Sequence, residues 1–294
     1  MNLTLNLVLG IFLFTCNGKI QAPATNNTET KEVAISLPKK TTSEVKKDTL
    51  VTSVITHEAE KVSIPTKNKK EGEESSTVSV PDHSTWADLL KQFVDDKGNV
   101  NYNGLKKEVG LLDGYLEYLA QKPPVNSWTK NDRLAYYINL YNAATVKLIV
   151  DHYPLQSIKD IPNRWKKKWI KVGKEVTSLN DIEHEVLRKM DEPRIHFAIN
   201  CASYSCPKLL NTAFTPQSME RLLSKTAVDF VNDKSRNRFE KDSAQLSKIF
   251  KWYKGDFTEN TSLLEYINQY LENPVNTKAR IEYLDYDWSL NEAK

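Results

Sequence analysis

The sequence predicts an α+β domain, richer in helix than in strand and built around a small sheet. Three observations predict it. Between residues 84 and 271, segment after segment carries apolar residues at helical spacing. Only a few short stretches, at 169–177, 194–200 and 280–288, alternate apolar with polar residues as a half-buried strand does. No internal repeat is present, which leaves a single-domain reading.

The chain opens on a different pattern. Leu3 to Phe14 is an apolar run broken only by Thr4, Asn6 and Gly10. It is short for a bilayer span and fits the core of an export signal, though no Lys or Arg precedes it. Leu13-Phe-Thr-Cys-Asn-Gly18 resembles a bacterial lipoprotein cleavage box, with Cys16 as the residue to be acylated. A lipid there would anchor the protein without a spanning helix. Residues 1–16 are therefore expected to be a signal peptide, and the protein to be exported to the cell envelope, as a lipoprotein or in secreted form. Residues 17–80 are rich in Thr, Ser, Lys, Glu and Pro and contain no aromatic residue. Such a segment buries too little apolar surface to offset its ordering entropy, so a disordered tether is expected. The globular domain is expected over 81–294.

Trp86, Leu89, Leu90 and Phe93 have helical spacing, and Asp96-Lys-Gly98 breaks that helix. Val100-Asn-Tyr102 reads as a short extended piece. Leu105 to Leu119 returns to helical spacing, and Pro123-Pro124 ends it. Thr129-Lys-Asn-Asp132 forms a capping box for a helix over 131–151 that is apolar almost all round. Such a helix belongs at the centre of a domain. Asn139 and Asn142 share one face of it, and buried amides there either tie down neighbouring loops or line a binding pocket. Gly173-Lys174 between Trp169–Val172 and Glu175–Thr177 signals a hairpin. Ser178 caps the next helix, whose buried stripe is Leu179, Ile182, Val186, Leu187 and Met190. Glu183 lies beside that stripe, with His184 and Arg188 four apart on an adjacent face. From Arg194 to Asn200 the alternation predicts a strand with His196 and Asn200 on one side, running into a loop with Cys201, Ser203, Ser205 and Cys206 and closed by Pro207. Helices are expected over 217–230, 246–253 and 263–271, and a terminal strand from Arg280.

Composition sets limits. The 294 residues are 27% charged and 39% hydrophobic, with a net charge of +3, so charge balance gives no argument for nucleic acid. The basic cluster Arg164-Trp-Lys-Lys-Lys-Trp169 is suited either to contact with phosphate or anionic lipid or, the reading favoured for a charge run, to a solvated lysine turn with tryptophans packing at its edges. Cys16 lies in the signal, which leaves Cys201 and Cys206 as the one pair in the folded part and no disulfide framework. No glycine-rich phosphate loop, dinucleotide fingerprint or paired-carboxylate signature is visible, and no organic cofactor is expected.

Taken in order, Tyr136-Tyr-Ile-Asn-Leu-Tyr-Asn142, Ser178-Leu-Asn-Asp-Ile-Glu-His184 with Arg188, Pro193-Arg-Ile-His196, Asn200-Cys-Ala-Ser-Tyr-Ser-Cys-Pro207 and Leu246-Ser-Lys-Ile-Phe-Lys-Trp-Tyr253 resemble the family called domain of unknown function 547, across roughly Trp86 to Leu271. A distant likeness to papain-like and transglutaminase-like folds is also read. There, a helix bearing the nucleophile packs on a sheet bearing a histidine. Here the central helix carries Asn139 and Asn142 and no cysteine, so a catalytic cysteine would have to come from the loop.

Three readings of the chemistry stay open. The first is a cysteine-dependent hydrolase or acyl-transferase acting on a peptide or envelope component. Cys206 or Cys201 is its nucleophile, His196 or His184 its base, and Glu183 or Asn200 orients that base. Asn139, Asn142, Arg188, Asn200, Ser203 and Ser205 are its candidate binding residues. The second is a non-catalytic tethered binding or scaffold module with a Cys201–Cys206 disulfide. The third is a metal site on His184, His196, Cys201 and Cys206, whose ligand types suit zinc although the spacing matches no usual signature.

Overall fold

A computed structural model describes residues 79–293; the expected signal, its Cys16 and the expected tether up to residue 78 lie outside the described residues. The expected α+β architecture is present. Helices α1 (Ser84–Phe93), α2 (Tyr102–Lys107) and α3 (Val109–Ala120) pack in front of the long α4 (Lys130–His152). The hairpin β1 (Ile170–Val172) and β2 (Glu175–Thr177) follows, then the short α5 (Leu179–Asp181). Helix α6 (Met219–Asn232) leads into β3 (Arg238–Glu240) and β4 (Ser243–Leu246). Short helices α7 (Lys248–Trp252), α8 (Lys254–Phe257) and α9 (Leu263–Asn268) precede β5 (Arg280–Tyr283).

Helix α4 forms where the sequence places it, because its start is written chemically. The Thr129 hydroxyl accepts the Asp132 N–H, and the Asp132 carboxylate accepts the Thr129 N–H, so two orphan donors are satisfied together. Leu134, Tyr136, Ile138, Leu140, Ala143, Ala144 and Ile149 are all buried, and this all-round apolar surface makes α4 the axis of the larger core. Around it Trp86 stacks on Tyr115 at 6.0 Å between rings. A second apolar cluster holds Phe197, Phe230, Phe250 and Phe257, with ring centroids 5.2 to 5.9 Å apart. In the basic cluster the three lysines are exposed and Trp165 and Trp169 are part-buried, as a solvated turn requires.

The strand expected over 194–200 is not there. Pro193–Phe197 is a 3-10 turn, continued by hydrogen bonds from the Ala198 and Ile199 N–H groups to the Ile195 carbonyl. Proline at its first position supplies a helical φ, and the Glu192 side chain accepts the Arg194 N–H. The alternation has another cause: Ile195 enters the larger core and Phe197 the second cluster, so one short segment is apolar toward both. The helix after Ser178 also departs from regularity. Beyond α5 it widens into a π turn at Ile182–Val186 and tightens into a 3-10 turn at Leu187–Met190.

Strand β5 forms as expected but parallel to β4, which itself pairs antiparallel with β3. Neither β3 nor β4 is legible in advance, since Arg238-Phe-Glu and Ser243-Ala-Gln-Leu are too short and too polar to show a period. After β5 the chain runs extended across the domain, bridging Ser157, Ser203 and Val100 through Ser289, Leu290 and Glu292.

Candidate active site

A cavity of about 230 Å³ lies where the π turn, the 3-10 turn, the cysteine loop, α7 and the C-terminal segment converge. Glu183 and His184 reach it from the π turn, His196 from the 3-10 turn and Cys201 and Cys206 from the loop. Its remaining walls are mostly aromatic, from Trp165, Tyr141 of α4, Trp252 and Tyr253 near α7, and Tyr286 and Trp288, with Asn180, Ile199, Pro207 and Ile249 between them.

The two asparagines of α4 build the frame of the loop. Asn142 donates from Nδ2 to the Ala198 carbonyl at 3.0 Å and accepts the Asn200 N–H at 2.8 Å. Asn139 does the same with both backbone groups of Phe214. Neither lines the cavity, so of the two roles open to them the structure gives loop-tying. Asn200 is used likewise: its side chain donates to the Pro207 carbonyl at 2.7 Å and accepts the Ala202 N–H at 2.7 Å, closing the loop on itself. Ala202 sits at φ 58, a left-handed conformation uncommon for a residue with a Cβ. Ser205 lies outside the cavity; its Oγ accepts the Asp287 N–H and fastens the C-terminal segment to the loop.

Cys201 and Cys206 are both free, and the Cys201 N–H donates to Cys206 Sγ at 2.9 Å. The Sγ of Cys201 also lies 3.0 Å from Ser203 Oγ and 3.3 Å from the Tyr286 hydroxyl. Burial pushes the Cys201 thiol up, but hydrogen bonds from Cys206, Ser203 and Tyr286 outweigh it and bring the group down to about 7. Burial pushes the Cys206 thiol well above its ordinary value, and the adjoining Cys201 pushes it the same way. One thiol of the pair is thus set to ionise and the other to stay protonated.

His196 is almost wholly buried, and burial lowers its pKa although Asp256 opposes that. A neutral imidazole that meets the Asp256 carboxylate at 2.8 Å through Nε2 must donate from Nε2, which leaves the lone pair on Nδ1. Asp256 also takes a two-pronged ion pair from Arg188, Nε to Oδ2 at 2.7 Å and Nη2 to Oδ1 at 2.6 Å. Burial alone would raise the Asp256 carboxyl, but Arg188 and His196 hold it well below the usual carboxylate range. The Tyr253 ring stacks on His196 at 3.9 Å and fixes its plane.

Three expectations are corrected. The group that orients His196 is Asp256, not Glu183 or Asn200, because Asn200 is spent on the loop and Glu183 takes the Tyr141 hydroxyl at 3.1 Å. The four proposed metal ligands are not gathered into one set: His184 Nδ1 accepts from Arg188 at 2.9 Å, His196 is turned to Asp256, and no group of three or more His, Cys, Asp or Glu side chains fit to hold a metal stands together among the described residues. The disulfide of the scaffold reading is likewise not formed, and the loop instead holds both thiols by hydrogen bonds. Asp256, Tyr253 and Tyr286 went unforeseen. The one available signal was the concentration of aromatics in Trp252-Tyr253 and Tyr286-Asp-Trp288, since Asp256 lies 60 residues from its partner His196.

Fold and site together define a helix-rich α+β domain with a thiol pair and a histidine–aspartate couple about an aromatic cavity. Residues 125–231 match the model of the family described as "Protein of unknown function, DUF547", so the resemblance read from the motifs holds over that stretch. The match takes in α4, the π turn and the cysteine loop, and ends before Tyr253, Asp256 and Tyr286. No curated protein and no solved structure matches the chain.

Proposed function

We propose that the domain is a cysteine-dependent acyl-transfer enzyme, a hydrolase or acyl-transferase, with Cys201 as nucleophile and His196, held by Asp256, as acid and base. The observation that carries this reading is a thiol brought down to about 7 lining the same cavity as a buried neutral histidine with a carboxylate partner. In this reading the Cys201 thiol gives its proton to His196 Nδ1, and Sγ bonds to the acyl carbon. The bond to the leaving amine or alcohol breaks as that group takes the proton back from His196. Water or a second nucleophile then attacks the thioester, and its proton passes through His196 to Sγ. The charge of Asp256 stabilises the transient imidazolium. Cys206 is the alternative nucleophile, but its burial and raised pKa favour Cys201.

The same proposal places the domain outside the cytoplasm, held to the envelope by lipid on Cys16 and acting on a peptide or envelope component. Its support is the sequence pattern before residue 81.

The test is iodoacetamide labelling of the purified protein without reductant, from about pH 5 to about pH 9, with mass spectrometry to locate the label. Cys201 is expected to label with a midpoint near 7, and Cys206 to stay unlabelled in that range. Labelling only above about pH 8.5 would mean an ordinary thiol and end the enzymatic reading. No labelling until reductant is added would mean a Cys201–Cys206 disulfide and turn attention to a binding module.

A further inference from the structure

We propose that the cavity recognises its substrate through a protonated primary amine, seated on the Glu183 carboxylate and faced by aromatic rings. This deepens the acyl-transfer reading, on which it rests for its meaning as a substrate site, by naming the group bound.

One carboxylate in the cavity wall is not used by the acyl-transfer reading, that of Glu183. Glu183 is 7% exposed; its Oε2 takes the Tyr141 hydroxyl, and its Oε1 has no hydrogen-bond partner. His196 Nδ1 also has no hydrogen-bond partner, but the acyl-transfer reading uses that lone pair as its base, which leaves it closed to the amine. Burial, and then the charge and hydrogen bonding of Glu183, raise the Tyr253 phenol, so its hydroxyl approaches that carboxylate; Oε1 nevertheless has no well-formed hydrogen bond. The cation nearest in function, Arg188, is already committed: three of its nitrogens go to Asp256 and His184. A buried carboxylate oxygen without a well-formed donor is costly, so the site is complementary to a group that brings donors and positive charge.

An ammonium group has three N–H donors, no acceptor and a positive charge, which fits a buried anionic acceptor. A carboxylate or phosphate would meet Glu183 with like charge. The walls agree with a cation. Trp252, Tyr286 and Trp288 lie with ring centroids 4.6 to 5.8 Å apart, and such faces attract cations through the ring quadrupole. The same kind of contact already occurs beside the cavity, with Lys159 over Trp288 at 5.5 Å and Arg188 over Tyr253 at 5.5 Å.

The experiment is a titration of the purified full chain at neutral pH with n-butylammonium, 1-butanol and butyrate, read by tryptophan fluorescence. Saturable binding of the amine is expected, at least about 10-fold tighter than of the alcohol or the acid, with Glu183→Gln weakening it about 10-fold. Equal binding of butyrate or butanol, no saturation by the amine, or an unchanged amine affinity in a folded Glu183→Gln protein would overturn the proposal. If Glu183→Gln does not fold, Trp252→Ala replaces it: that ring is 46% exposed, and its loss should weaken amine binding several-fold, about 3- to 10-fold; an unchanged affinity overturns the proposal. Titrating Cys201→Ser separates the two readings. Amine binding by that variant and by a protein whose thiol labels as an ordinary one would remove acyl transfer and keep the amine site. An activated thiol with no preference for the amine would do the reverse.

Discussion

At the scale of single residues, Asp256 holds two partners that the chain places far from it. It accepts from Arg188 and from His196, both through hydrogen bonds that require its charge. Its carboxyl is held below the usual range in the fold, so its contribution is full above the ordinary carboxylate pKa of about 4 and is lost as pH falls below that. Asp256→Asn should therefore cost about 1–2 kcal/mol at neutral pH, allowing for its partial exposure, and should flatten the loss of stability below about pH 4; urea midpoints at neutral and acidic pH measure both effects. Gly98 is a second single-residue constraint. It sits at φ +82, and a Cβ there would meet Lys208 Cβ at 2.7 Å and Lys208 Cα at 2.8 Å. Gly98→Ala should cost more than about 1 kcal/mol in urea unfolding. Gly98 was legible as a helix breaker, because glycine after Asp-Lys is a local signal. Asp256 was not, because nothing local separates it from the other acidic residues, and its meaning comes wholly from a contact across 60 and 68 positions.

At the scale of elements, α4 was the most legible part of the fold. Its cap chemistry and its apolar surface both act within a few residues, so its limits could be placed to within one residue of Lys130–His152. The segment after Pro193 was misread because period two arises in a strand and also in a short turn wedged between two cores. The asparagines of α4 show how an element can carry a site that it does not line. Asn142→Ala would leave the Ala198 carbonyl and the Asn200 N–H without partners and should cost about 2–3 kcal/mol. It should also loosen the loop, so that Cys201 and Cys206 label at more similar rates. Thr129→Ala breaks the capping box at the far end of the same helix and should cost about 1 kcal/mol while leaving the labelling pattern unchanged. Comparing the two variants separates a general weakening of α4 from a specific loss of loop geometry.

For the molecule as a whole, two buried histidines set the response to mild acid. Burial brings His83 down to about 4 and lowers His196 as well, so the folded protein keeps both neutral where the unfolded chain has protonated them. The unfolded state then binds more protons, and stability should fall as pH drops from about 6.5 toward about 4, before the Asp256 effect begins; melting temperatures across that range measure it. The class of the fold was legible because hydrophobic spacing dominates it. The three-stranded sheet and the C-terminal crossing were not, because their pairings join short segments through backbone groups that leave no mark on side-chain pattern. On the proposed export route, Cys16→Ser should release the protein from the membrane fraction without altering labelling of Cys201.

The extended run from Tyr286 to Glu292 supplies a hydroxyl to Cys201, backbone bonds to Ala202, Tyr204 and Ser205, and a bridge to Val100. This imposes an order in time. A chain emerging from the ribosome exposes Cys201 and Cys206 about eighty residues before the segment that restrains them, since Tyr286 lies 85 positions beyond Cys201. Until that segment arrives, the loop lacks its clasp and the Cys201 thiol lacks one of the donors that lower it, the Tyr286 hydroxyl. On the proposed acyl-transfer reading, the site is therefore completed only when this C-terminal run has crossed the domain, which would tie chemical competence to a finished fold.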